Sequence, residues 1–304
     1  MSVTPAQAYR SRWGYLFVAP AAVLLLTFLV APLCYAVAIS FTNRVAVPTP
    51  RLPTQFVGLD NYRELVADPD FRTAILHNLL FTIIVVPLQT GLALGLALLV
   101  NLRLRGHALF RTAYFIPIAV PLSVAGLIWK LILDENQGRP GILTEVLSTL
   151  TAGAVTPHWL ADTHWTQVAV VLVSLWSSVG FQMVILLAAL QAVPRELHEA
   201  AMLDGAGAWR RLWAVTIPGI RPQLFFVTTT TAVLSFRLFD QVYVLPTSPG
   251  GPQGATTTLM LYIVRLSQEN GPASRVGLAA AATVIFLVIV LLVSLLQRRL
   301  EPKD

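Results

Sequence analysis

Charge is scarce in this chain, and so are the residues that usually staple a fold or build an active site. Asp, Glu, Lys and Arg together make up 12% of its 304 residues, about half the share in an ordinary soluble protein. Only two lysines occur, Lys130 and Lys303, and neither follows the glycine-rich run in which backbone amides and a lysine cradle phosphates. A nucleotide-binding loop of that kind is therefore excluded. Gly-x-Ser-x-Gly nucleophile turns and His-Glu-x-x-His pairs are also missing, which excludes hydrolytic sites of those designs. The sole cysteine, Cys34, rules out an intrachain disulfide. Disorder is excluded as well, because 56% of the residues are hydrophobic.

What the chain has instead is long stretches without charge. Runs of 31, 30, 18, 32 and 22 residues free of Asp, Glu, Lys and Arg lie between Arg12 and Arg44, Arg72 and Arg103, Arg111 and Lys130, Asp162 and Arg195, and Arg275 and Arg298. A helix needs about 20 mostly apolar residues to cross a bilayer with every backbone group paired internally. A sixth run, from Pro218 to Leu245, carries Arg221 near its start and is otherwise interrupted only by Arg237 and Asp240. The pattern predicts an all-α integral membrane protein with six transmembrane helices. Residues 1–12 form a terminus, 13–297 the membrane domain and 298–304 a tail. With both termini in the cytoplasm, twelve basic residues face inside and eight outside, the asymmetry that sets membrane topology. The basic net charge of +6 thus reads as topology, with no nucleic-acid partner.

Trp13 to Phe41 is too long for a signal peptide's apolar region of about 7 to 15 residues, and reads as a retained helix. Pro20, Pro32, Pro87, Pro117 and Pro121 fall within spans, and kinks are expected near the last two. Outside the membrane, residues 44–71 read as a Pro-rich start followed by an amphipathic stretch around Tyr62 to Val66. Gly138, Pro140 and Gly141 mark a turn in the loop from Asp134 to His164. His158, Asp162 and His164 lack the closed ligand set that zinc requires, so no metal site is assigned and the segment reads as a polar lip.

Charge at membrane depth is costly and usually meets a partner or a water-filled cavity. Arg237, Asp240 and Gln241 stand at i, i+3 and i+4, which on a continuous helix is one face. Two readings are open there: an Arg–Asp pair that fixes packing, or groups that hydrogen-bond a solute, with Phe236, Phe239 or Trp176 offering ring faces. Ser174, Ser177, Ser178 and Gln182 form a second polar stripe. The Thr228 to Thr231 run reads as helix–helix glue.

The cytoplasmic segment after the fourth span carries the functional signal. Pro194 suits a helix start, Glu196 and Glu199 suit its positive end, and Gly205 with Gly207 can stop it. Trp209 and Trp213, at i and i+4, suit the headgroup boundary. Small Ala200, Ala201 and Ala206 let a partner approach closely. Glu199-Ala-Ala-x-x-x-Gly205, nine residues and then Val215-Thr-Ile-Pro218 resemble the EAA motif of permease subunits in binding-protein-dependent ABC importers. Two positions differ mildly: the family favours Ile where Val215 stands and Leu where Ile217 stands. Phe56-Val-Gly-Leu-Asp-Asn-Tyr62, Phe110-Arg-Thr with Pro117 and Trp129, and Phe239-Asp-Gln-Val-Tyr-Val-Leu245 with Gly250-Gly-Pro252 are similar to the carbohydrate-uptake branch, although Pro246-Thr-Ser-Pro249 lengthens the last connection.

The resemblance implies a type I importer (MetI-like) permease fold in a bacterial or archaeal cytoplasmic membrane. Segment 192–217 would couple to an ATPase through Glu199, Ala200, Ala201, Asp204, Gly205 and Ala206. The subunit would be no enzyme and bind no cofactor, with ATP and Mg on two partner ATPase subunits. Its other partners would be a second permease, an extracytoplasmic solute-binding protein and membrane lipid. The expected solute is a sugar or oligosaccharide, with Arg237, Phe239, Asp240, Gln241, Trp176 and Gln182 along its path. The alternatives are glycerol 3-phosphate as solute, or a secondary transporter.

Overall fold

A computed structural model describes residues 16–102, 112–133 and 140–300. Arg10, Arg12, Trp13, Arg103, Arg105, Phe110, Arg111, the Gly138 turn and Lys303 lie outside the described residues. Within them every regular element is helical, and β-pairing is limited to isolated bridges.

Helix α1, Leu16–Ile39, contains a π turn at Leu26–Val30 and leaves its apolar surface exposed, as lipid solvation requires. The amphipathic stretch after it is α2, Asp60–Ala67. Helix α3, Pro69–Asn101, runs through Pro87 without a break. Next come α4, Thr112–Ala119, and α5, Leu122–Leu133, which meet at an angle of 109°. Pro117 and Pro121 flank that bend, where a missing N–H and a fixed φ stop helix propagation. The stretch read as loop and turn after Asp134 contains a further helix, α6, Ile142–Leu150.

The chain continues with α7, Thr163–Ala192; α8, Arg195–Leu203; α9, residues 208–219 with a π turn at Leu212–Thr216; and α10, Arg221–Phe236. A short α11, Asp240–Val244, then α12, Leu259–Gln268, and α13, Val276–Leu300, complete it. Asp162 caps α7 by accepting from the backbone N–H of His164 and Trp165 at 2.8 and 3.1 Å. The Trp165 bond in particular holds the Asp162 carboxyl below its ordinary range.

Among the described residues, four helices are long and apolar enough to cross a membrane, and five if the bent α4–α5 pair is one span. The expected sixth span departs from the sequence reading. Helix α10 has 16 residues and stops at Phe236, so the run from Pro218 to Leu245 is no continuous helix.

The chain divides into two compact units. One comprises residues 1–68 and 263–288. In it, Asn61 Nδ2 donates to the Ser40 and Thr42 carbonyls at 2.7 and 2.8 Å, and Phe41 packs its ring on Tyr62. Arg275 forms a bidentate pair with Glu64, at 2.5 and 2.6 Å, which ties the start of α13 to α2. The Arg275 guanidinium holds the Glu64 carboxyl below its ordinary value of 4.5. Because the folded value is depressed, the pair's contribution is complete above pH 4.5 and disappears as pH falls through the folded value. Both side chains are about half exposed, which limits the pair to about 1 kcal/mol. Wild-type thermal stability should therefore drop below pH 4.5 by about that amount relative to Glu64→Gln, compared by melting each purified protein across the acid range.

The second unit comprises residues 69–262 and 289–304. Its cores sit toward the two ends of α7. Ala93 and Ala97 of α3 pack with Met183, Leu186 and Leu190, and the small side chains bring the two helices close. Ala169, Val170 and Val173 pack with Leu133, Val242 and Leu261. Gly180 of α7 lies against the Tyr114 backbone so closely that a Cβ would overlap the Tyr114 carbonyl oxygen.

Candidate functional site

Between these cores lies a cavity of about 570 Å³, within the range of small-molecule sites. Its walls come from α3, the α4–α5 bend, α7, α10 and the chain break before α11.

That break is held by groups distant in sequence. Beyond Phe236 the backbone tightens, with Arg237 N–H donating to the Leu234 carbonyl and Phe239 at φ −136°, ψ −58°. The carbonyl freed at Phe236 accepts from Asn78 Nδ2 at 3.3 Å. Asn78 Oδ1 in turn accepts from the Leu259 N–H at the start of α12, at 2.7 Å. Thr258 Oγ1 donates to the Leu238 carbonyl at 2.8 Å. One buried asparagine thus pairs an orphan acceptor at one helix end with an orphan donor at another.

Arg237, Asp240 and Gln241 therefore do not share one helical face. Arg237 follows the end of α10, and Asp240 opens α11. All three nonetheless line the cavity, because the break turns both helix ends toward it. Among the described residues no ion pair joins Arg237 to Asp240. The Asp240 carboxylate accepts instead from Ser123 Oγ of α5 at 3.0 Å. Gln182, Ser174, Ser177 and Ser178 of α7 line the opposite side. Gln182 Nε2 donates to Thr231 Oγ1 at 2.5 Å, so this threonine does join two helices.

Phe239 and Trp176 do not contribute to the cavity wall. Phe239 stacks on Tyr243 with ring centroids 5.2 Å apart, and Trp176 packs edge-on to Trp129 at 5.8 Å. Phe236 is fully buried and offers no ring face. Gln89 of α3, not singled out in the sequence, lines the cavity with Phe81 and Val85 at four-residue spacing. A polar residue within a 30-residue uncharged run was the available signal.

The second site is the elbow after α7. Helix α8 ends in a Schellman turn: Ala206 N–H donates to the Ala201 carbonyl at 2.9 Å and Gly205 N–H to Met202 at 3.0 Å. Gly205 sits at φ +76°, which glycine adopts without penalty. Gly207 plays another part than the expected one, opening α9 with φ −64°, ψ 169°. Glu199, Ala200, Asp204 and Gly205 are exposed, and Ala201 and Ala206 half-buried. Leu203 is 90% exposed, and Met202 and Leu197 about half. Trp209 and Trp213 stack edge to face at 5.8 Å on α9.

Residues 70–303 match the binding-protein-dependent transport system inner membrane component family, and the chain belongs to it. It is 34% identical over 286 residues to the lactose transport system permease protein of Rhizobium radiobacter, covering 93% of this chain and 91% of that one. Identity to the trehalose/maltose transport system permease protein of Thermococcus litoralis is 32% over 291 residues, covering 95% and 94%. The fold matches a chain of a bacterial alginate ABC transporter crystallised with an alginate-bound periplasmic protein, with a TM-score of 0.81 at 20% identity over 97% of both chains. The protein is accordingly a transport permease of the membrane.

Proposed function

We propose that this permease imports a sugar or oligosaccharide and takes its energy from a separate ATPase seated on the Glu199–Ala206 elbow. The observation that carries the reading is the elbow itself. It is a hydrogen-bonded turn of fixed shape that displays Leu203, Met202 and Leu197 to solvent. Large apolar side chains left exposed among charged ones on such a turn suit contact with a protein partner.

The elbow also leads directly into the cavity wall. From Gly207 the chain passes through α9, turns once at Ile220 and continues as α10, which carries Thr230 and Thr231 and ends at the Arg237 break. A displacement of the elbow by a closing ATPase would travel along this helical rod to the cavity. ATP and Mg²⁺ belong to that partner. A second permease completes the passage, a solute-binding protein delivers the solute from outside, and both termini face the cytoplasm.

The saccharide assignment draws on the lactose and trehalose/maltose relatives and on a cavity lined by amides, hydroxyls and the Asp240 carboxylate. Asp240, Gln241, Gln182 and Arg237 are the groups proposed to meet the solute. Arg237→Met should change the order in which sugars are taken up, with a loss of about tenfold or more for solutes that use a charge-assisted bond. Uptake competition with a panel of sugars measures this. A fall in thermal stability alone would return Arg237 to a packing role. Purification of the tagged chain from its own membranes in mild detergent should bring down an ATPase and a second permease, and a chain that purifies alone would contradict the docking role of the elbow.

A further inference from the structure

Gln89 stands on the α3 wall of the cavity, 4% exposed, and its side-chain amide makes no hydrogen bond among the described residues. Unlike Gln182 Oε1, the polar atoms of Gln89 are not sealed inside the protein but open onto the cavity, so only what enters the cavity can pair them, and an amide without a partner in an apolar span costs stability. A leucine at this position of an apolar span would avoid that cost. Folding therefore does not account for the amide, whereas a hydroxylated molecule entering the cavity does.

We infer that Gln89 is a solute-contacting residue that sets specificity by reading the hydroxyls of a neutral saccharide, an inference that rests on the import reading above. A primary amide both donates and accepts, as a hydroxyl does, so it can meet two neighbouring hydroxyls at once. Being uncharged, it holds a passing solute without trapping it. Two further glutamines share the cavity from other walls. Gln241 of α11, 5% exposed, likewise makes no side-chain hydrogen bond among the described residues. Gln182 of α7 has its Nε2 tied to Thr231 and its Oε1 unpaired. Gln89 places the third amide on the helix facing α7, so a sugar ring between them meets amides from three elements. A site built to hydrogen-bond a hydroxyl rejects analogues lacking it far more strongly than an apolar pocket does.

The test uses the complete importer in proteoliposomes, with uptake of radiolabelled glucose, lactose, maltose, trehalose and raffinose as probes. Gln89→Leu should retain or raise thermal stability and lower uptake of the preferred sugar about tenfold, the loss of one hydrogen-bonded contact. Competition by deoxy analogues should change for some hydroxyl positions and not for others. Wild-type rates and an unchanged sugar order in Gln89→Leu would overturn the inference while leaving the import reading standing. A loss of stability with equal losses for every sugar would overturn it too, by showing a packing role. A wild-type complex that moves none of the five sugars would contradict the saccharide reading and this inference together.

Discussion

Glu199→Lys combined with Gly205→Glu is expected to abolish solute uptake while the permease remains in the membrane at its normal level. Helix α8 has no buried residue, so the substitutions leave the cores of α7 untouched, and surface changes of this kind usually alter stability by no more than about 0.5 kcal/mol. Gly205 adds a local effect. At φ +76° a residue with a Cβ pays about 1–2 kcal/mol, so the Schellman turn opens and the exposed Leu203 beside it loses its fixed presentation. Reversing the charge at Glu199 changes the exposed polar surface of α8. Immunoblotting of membranes, uptake and solute-stimulated ATP hydrolysis in the reconstituted complex check the expectation together. Retained stimulation would show that the elbow does not couple.

Gly180→Ala should destabilise the permease by about 1–3 kcal/mol, and Gly180→Leu should prevent its accumulation. The new Cβ would overlap the Tyr114 carbonyl oxygen and stand 2.7 Å from its carbonyl carbon, and backbone cannot swing aside as a side-chain tip can. Relief requires α7 to part from the segment leading into Pro117 and Pro121, which forms one wall of the cavity. Transport should therefore fall beyond the loss of protein. Melting of the detergent-purified complex measures the first effect, and uptake normalised to permease content the second. A Gly180→Ala permease of wild-type stability would refute the close approach.

Local features were legible in the sequence because local chemistry decides them. The elbow follows from Pro194, Gly205 and the acidic first turn of α8, and the α4–α5 bend from Pro117 and Pro121, all within a few residues of their effects. The break at Arg237 was not legible, since its bonding partners are Asn78 and Thr258, 158 and 20 residues from the carbonyls they satisfy. On local pattern alone the stretch reads as one helix with a polar face. The structure keeps its three polar residues at one cavity, with Arg237 just past the end of α10 and Asp240 and Gln241 at the start of α11. Gln89 leaves little trace in the sequence, because an uncharged amide does not interrupt a charge-free run. Gly180 is equally silent in sequence, since the strand of backbone it accommodates lies 66 residues earlier. Helix α6 is hard to read locally because its nine residues lie in a segment punctuated by Gly and Pro, whose turn signals outweigh a short amphipathic pattern.

The most direct test is solute uptake into proteoliposomes holding this chain with and without the proposed ATPase. Accumulation is expected only when the proposed second permease, binding protein and ATPase are present and ATP is supplied on the elbow side. Accumulation driven by an ion gradient across liposomes containing this chain alone would contradict this expectation.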